Sequence, residues 1–284
     1  MARPFSRRRS LLTAVLGGIL VVAGLLALTP AAQSATAAAA AGSHDEAKPT
    51  IVLVHGSWAD ASGWTDVVKR LQREGYQVFA PPNPLRSLSG DAEYIRTFLS
   101  TVPGPIVLVG HSYGGAVITN AATGNPNVKA LVYIDAFAPD EGEQVLSLVG
   151  PDSAIAVDDP TTVFDLRPYP GAPAGDFDVY LKPEVVVNSF AQDLPKQTAL
   201  ALAATQRPIA FSAGLEPSGV PAWKTIPSWY LIGTEDRIIP EAQQRFMAER
   251  AGAQIVEVRA SHVSMMSKPN AVARLIVAAA QATT

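Results

Sequence analysis

The chain has 284 residues, 48% of them hydrophobic and 17% charged, enough for one large or two small globular domains. It contains no cysteine, which rules out disulfides, thiolate metal sites and cysteine nucleophiles. A formal net charge of −3 offers little to nucleic acid or to an anionic membrane surface.

Residues 1–40 read as an export signal. Arg3, Arg7, Arg8 and Arg9 make a positive start, Leu11 to Leu28 is apolar, and Pro30 leads into an alanine-rich segment. That segment holds several small-residue cleavage patterns, among them Ala35-Thr36-Ala37. The arginine run also fits a twin-arginine signal. An uncleaved anchor competes, since the apolar run is about long enough to span a bilayer. Small residues follow at once and no basic stop-transfer flank appears, which favours cleavage. Loss of the four arginines takes the formal charge from −3 to −7. The mature protein is expected to be secreted or held in the cell envelope, without stable membrane association. Residues 41–49 form a linker, and one domain is expected over 50–284.

Within that domain short apolar strands alternate with helical stretches, the pattern of a parallel sheet covered on both faces. Strand 50–54 runs into His55-Gly56-Ser57-Trp58 and a helix over 62–74, followed by strand 77–80 and helix 90–100. Strand 105–110 leads into Gly110-His111-Ser112-Tyr113-Gly114 and a helix over 113–123. Strand 129–134 ends at Asp135, with Phe137 close behind. The rhythm then breaks over 138–224, a segment rich in proline and aspartate that is expected to form a cap. It resumes with strand 228–232, Asp236, helix 241–251, strand 254–258, His262 and helix 269–281. No internal repeat is visible.

Gly-x-Ser-x-Gly between a strand and a helix is a nucleophile elbow. The sharp turn strains its corner residue, and the flanking glycines let the backbone pass close by. The helix start offers free N–H groups to a developing oxyanion. Ser112 is therefore the candidate nucleophile. His44 lies in the tail, His55 follows the first strand and His111 is locked in the elbow, so His262 is the candidate base. Asp236, after the penultimate strand, is the candidate acid that orients it. Asp135 is the rival, and the adjacent Glu235 is expected to point elsewhere. The amides of Tyr113 and Ser57 are the candidate oxyanion donors. Trp58 beside the oxyanion loop, Phe137 after the fourth strand and Trp223 in the cap are candidate pocket residues, and the other cap aromatics Phe164, Tyr169, Phe177, Tyr180 and Phe190 could also line the pocket. No histidine–carboxylate cluster has metal-ligand spacing.

These segments make the chain similar to the α/β-hydrolase superfamily. It most resembles the small esterases related to plant methylesterases and hydroxynitrile lyases, and their bacterial relatives. Leu53–Gly56, Leu108–Gly115, Leu131–Pro139, Tyr230–Pro240 and His262 carry the resemblance, which is weakest between about 140 and 222. It implies an α/β-hydrolase fold: a mostly parallel sheet of about six strands, helices on both faces and a cap insertion; because the first strand starts almost as soon as the signal ends, the two extra N-terminal strands of larger relatives are expected to be missing. It also implies that the aspartate of Thr234-Glu235-Asp236 is the triad acid. The lyase branch carries a threonine where this chain has Gly56, and a lysine where it has Val263, so ester hydrolysis is favoured. Relatives with dehalogenase or epoxide-hydrolase activity have an aspartate at the elbow, which Ser112 argues against.

The expectation is an exported serine hydrolase acting on small-molecule carboxylic esters through an acyl-enzyme, with no cofactor and no metal. Amide or lactone hydrolysis and peracid formation on the same triad are alternatives. So is a non-catalytic small-molecule-binding role, although binders of this fold commonly lose a triad member. No feature of the sequence sets an oligomeric state.

Overall fold

The computed structural model describes residues 48–283. The expected export signal (1–40) and nearly all of the linker (41–49) lie outside the described residues. The elements, in chain order, begin with β1 (Thr50–Val54), a 3₁₀ turn (Ala61–Trp64), α1 (Thr65–Arg73), β2 (Val78–Phe79) and α2 (Leu88–Ser100). Next come β3 (Ile106–His111), α3 (Tyr113–Ala121) and β4 (Val128–Ile134). The long insertion holds β5 (Phe164–Arg167), β6 (Asp178–Leu181), α4 (Pro183–Val185) continued by a π-turn (Val186–Phe190), α5 (Lys196–Thr205), β7 (Ile209–Ala210) and α6 (Phe211–Leu215). The chain closes with β8 (Ser228–Gly233), α7 (Glu241–Arg250), β9 (Gln254–Val258), α8 (Ser264–Ser267) and α9 (Pro269–Gln281).

Six strands form one parallel sheet in the order β2-β1-β3-β4-β8-β9. Strands β1, β3 and β8 are buried at every position, which explains why they read as continuous apolar runs. β9 lies at an edge and carries only exposed and half-buried residues. β2 is shorter than the expected 77–80, because Pro81 and Pro82 cannot donate to the ladder. Two layers of helices cover the sheet, α1 with α9 and α2 with α3. The α1 helix turns Val67 and Leu71 inward, and carries Asp66 at its start and Arg70 and Arg73 at its end, matching its dipole. The Ser87 side chain caps α2 by accepting the Gly90 N–H. This is the α/β-hydrolase arrangement expected from the sequence.

The interval between β4 and β8, residues 135–227, contains the expected cap segment 138–224. It carries its own three-stranded antiparallel sheet, ordered β5-β6-β7, which the sequence reading did not anticipate. The strands are two to four residues long, too short for a period-2 pattern to stand out among prolines.

Candidate active site

Ser112 stands at the corner between β3 and α3 with φ 53°, a left-handed backbone that a side chain rarely adopts. The turn is held from both sides. Its N–H donates to Ile134 O, and its carbonyl accepts from Gly115 N (2.9 Å) and Phe137 N (3.1 Å). A β-carbon on Gly114 would lie 2.5 Å from Val54 O, so only glycine lets α3 start this close to the sheet. The Ser112 Oγ sits 2.8 Å from His262 Nε2.

The His262 ring is buried, with Nδ1 2.7 Å from Asp236 Oδ2. Asp236 Oδ1 accepts the amides of Ile238 (2.7 Å) and Ile239 (3.0 Å), while Oδ2 also accepts Gln244 Nε2 at 2.8 Å. Burial pushes this carboxyl well above the usual range, and the two amides offset that only in part. Burial in turn holds the imidazole below its ordinary value of 6.5, so the resting ring is neutral. With Nδ1–H donated to the carboxylate, Nε2 is free to accept the serine proton.

The rival acid is elsewhere. Asp135 Oδ2 takes the N–H and hydroxyl of Ser264, just past the histidine, and does not reach the ring. Burial and the neighbouring Asp236 push Asp135 well above the usual carboxylate range. Glu235 pairs with Arg259 at 2.6 Å on the surface.

Two further histidines matter. His111 Nε2 donates to the carbonyl of His262 at 2.8 Å, fastening the base loop to the elbow, and burial keeps it neutral. His55 Nε2 accepts the Asn83 amide (3.0 Å), which leaves the proton on Nδ1 to donate to Gly56 O at 2.9 Å. Because a peptide is planar, fixing the Gly56 carbonyl turns the Ser57 N–H the opposite way. A β-carbon on Gly56 would fall 2.5 Å from that of Ser112, so this loop runs directly against the candidate nucleophile. Tyr113 is the first residue of α3, where an amide has no acceptor within the helix. Gln244, His111 and Asn83 are site residues that the sequence reading passed over. Each acts through a hydrogen bond across the fold; Gln244 and Asn83 carry no local motif, and the elbow motif that contains His111 gives no sign of its bond to the base loop.

A cavity of about 270 Å³ opens above Ser112 and is lined almost wholly by apolar side chains. Ser57, Tyr113, Trp58 and Phe137 face it, with Phe164 and Phe177 from the cap. The polar tips of its aromatics are already engaged: Tyr113 OH donates to Asp91 Oδ2 (2.9 Å) and Trp58 Nε1 to Val179 O (2.9 Å). Trp223 is a correction, because it does not line this cavity. Its indole donates to Pro139 O at 3.0 Å and its ring lies beside Lys224 and Arg250, at the base of the cap where the chain returns to β8. Of the other cap aromatics, Tyr169 bonds Asp176 (2.7 Å) and Tyr180 packs under Arg167, both away from the cavity. The wall instead draws on aliphatic residues such as Val145, Leu146 and Ile209, which a search for aromatics overlooks.

Residues 51–275 match the family model described as the alpha/beta hydrolase family. The chain is 27% identical over 247 residues to the pyrethroid hydrolase of Sphingobium wenxiniae, covering 80% of this chain and 85% of that one. It is 23% identical over 248 residues to methylesterase 1 of Arabidopsis thaliana, covering 80% and 94%. The crystal structure of polyneuridine aldehyde esterase superposes with a TM-score of 0.69 at 21% identity, over 81% of this chain and 98% of that one.

Proposed function

Starting from the alpha/beta hydrolase family, to which this chain belongs, we propose that it is an exported serine esterase for uncharged, apolar carboxylic esters. Its relatives are named esterases and hydrolases, which supports ester hydrolysis as the reaction class. One observation carries the finer reading: the unbroken line Ser112–His262–Asp236, with links of 2.8 and 2.7 Å, at the floor of an apolar cavity.

His262 Nε2 takes the hydroxyl proton as Ser112 Oγ attacks the ester carbonyl. Asp236 accepts from Nδ1–H and stabilises the imidazolium that forms. The carbonyl oxygen becomes an oxyanion held by the N–H groups of Ser57 and Tyr113. When the tetrahedral intermediate collapses, His262 returns the proton to the departing alcohol, leaving an acyl group on Ser112. A water deprotonated by the same histidine then releases the acid. Apart from the hydroxyls of Ser57 and Ser112, the side chains that line the cavity are apolar or have their polar tips engaged, so selection rests on apolar fit. The arginine-led apolar start of the sequence supports export, which N-terminal sequencing of secreted protein would check.

The test is a chain-length series of p-nitrophenyl esters, run beside matched amides, with protein lacking residues 1–40. Ser112→Ala is expected to lower kcat by at least about 10³-fold. A folded protein that turns over no ester and resists a fluorophosphonate label would overturn the reading.

A further inference from the structure

The cap segment 188–193 touches the triad from outside the substrate cavity, and it does so on both loops at once. Its backbone leaves the π-turn Val186–Phe190, a helix form that concentrates at functional positions. Asn188 O accepts Arg237 Nη1 at 2.8 Å, and Gln192 Nε2 donates to Glu235 O at 2.6 Å. Arg237 and Glu235 are the two neighbours of Asp236. The next residue, Asp193, accepts the N–H of Ser261 on Oδ2 (3.1 Å) and its hydroxyl on Oδ1 (2.5 Å). Ser261 is fully buried and directly precedes His262. Phe190 packs its ring 5.1 Å from that of His262 and 6.2 Å from Trp58.

We infer that residues 188–193 form a clasp that sets the distance between Asp236 and His262, with Asp193 as its principal positioning residue. The inference rests on the proposed esterase reading. The acid and base loops follow different strands, β8 and β9, and meet directly through the Glu235 N–H on Ala260 O (3.1 Å) and the Glu235–Arg259 ion pair (2.6 Å). Neither of those contacts holds Ser261, the residue before the base, whereas the Gln192–Asp193 dipeptide grips the residue before the acid and the residue before the base together. The bidentate contact at Ser261 fixes both the position and the direction of the base loop, because one carboxylate holds an amide and a hydroxyl of the same residue. The cap therefore contributes to the reaction itself as well as to substrate fit, and any opening of the cap at this segment loosens the dyad.

The experiment compares Asp193→Ala, Asp193→Asn and Ser261→Ala with wild type. It reads kcat and KM on one p-nitrophenyl ester, the melting temperature, and the low-field proton resonance of His262 Nδ1–H, which reports the Asp236 hydrogen bond without any turnover. Asp193→Ala is expected to lower kcat about 10- to 100-fold with KM nearly unchanged, since a displaced base slows the chemical step. It should also shift or broaden the low-field signal. Asp193→Asn, which keeps one acceptor, falls between the two. Ser261→Ala, a small change on the other side of the contact, shows the same pattern more weakly and is not additive with Asp193→Ala. Variants with wild-type kcat and an unmoved resonance overturn the clasp, even if their melting temperature falls, because the contact would then be structural only. A wild-type protein without turnover speaks against the esterase reading alone, and the resonance still decides the clasp.

Discussion

The parallel sheet and the cap obey different rules, and their meeting line is the candidate site. The sheet is made of continuous apolar runs, and its turns are so tight that added atoms have nowhere to go. The cap is assembled from two- to four-residue strands, short helices and proline turns, many of them partly exposed. Ser112, Tyr113 and Ser57 belong to the sheet's carboxyl edge, where open α/β folds place their chemistry. Most of the cavity wall belongs to the cap. In the proposed reaction, chemistry and selectivity are thus held by regions with unlike tolerance for change, yet Phe190, Gln192 and Asp193 show the cap reaching back to the His262 and Asp236 loops.

The largest expected contrast pits two glycines against each other. Gly56→Ala in the core places a β-carbon 2.5 Å from Ser112 Cβ and 2.7 Å from His111 O. It should cost about 2–3 kcal/mol in denaturant titrations and most of the activity. Gly171→Ala in the cap meets nothing within 4 Å, so only its φ of 76° is penalised. That change should cost about 1 kcal/mol and leave kcat within about twofold. Equal losses at the two sites would break the comparison.

A smaller effect concerns pH. His262 must be neutral to accept the serine proton, and burial holds its pKa below 6.5. The kcat/KM profile should therefore stay flat as pH falls past 6.5 and decline only in more acidic solution. Phe190→Ala uncovers one face of the ring, lessens its desolvation and should move the acid limb upward toward 6.5. A wild-type limb already at 6.5, or a downward shift in the variant, contradicts this account.

The smallest effects lie in the cavity wall. Leu146 lines the cavity and is 40% exposed at its rim. Leu146→Ala should change the kcat/KM ratio between short and long acyl esters by about 10-fold. Trp223→Phe, off the cavity, should change that ratio by less than about twofold. A reversal of these two results would return Trp223 to the pocket.

How much was legible follows the same division. The six strands were found within a residue or two, and for β1, β3 and β8 the reason is that a strand buried on both faces shows as an uninterrupted apolar run. Ser112 was visible through the glycines that its turn demands, and His262 by elimination among four histidines. Asp236 had to be weighed against Asp135, since both follow strands and both are buried. What separates them is direction: one carboxyl meets the imidazole, and the other meets Ser264. The misplaced Trp223 has the same origin, because an aromatic in a proline-rich insertion shows its size in the sequence but not the side on which it lands.

The sequence by itself determined the sheet, the elbow and the residue types able to carry nucleophilic chemistry. Those features depend on local geometry and on patterns within a few residues. Only the tertiary structure decided which acid serves the histidine, how Gln244, His55 and His111 hold the site in register, and which side chains wall the cavity. Those outcomes are hydrogen bonds and contacts between segments as many as about 150 residues apart, His262 Nε2 to Ser112 Oγ being the longest of them in the triad. Short-range patterns carry no record of such distances, because the folded chain sets them through packing.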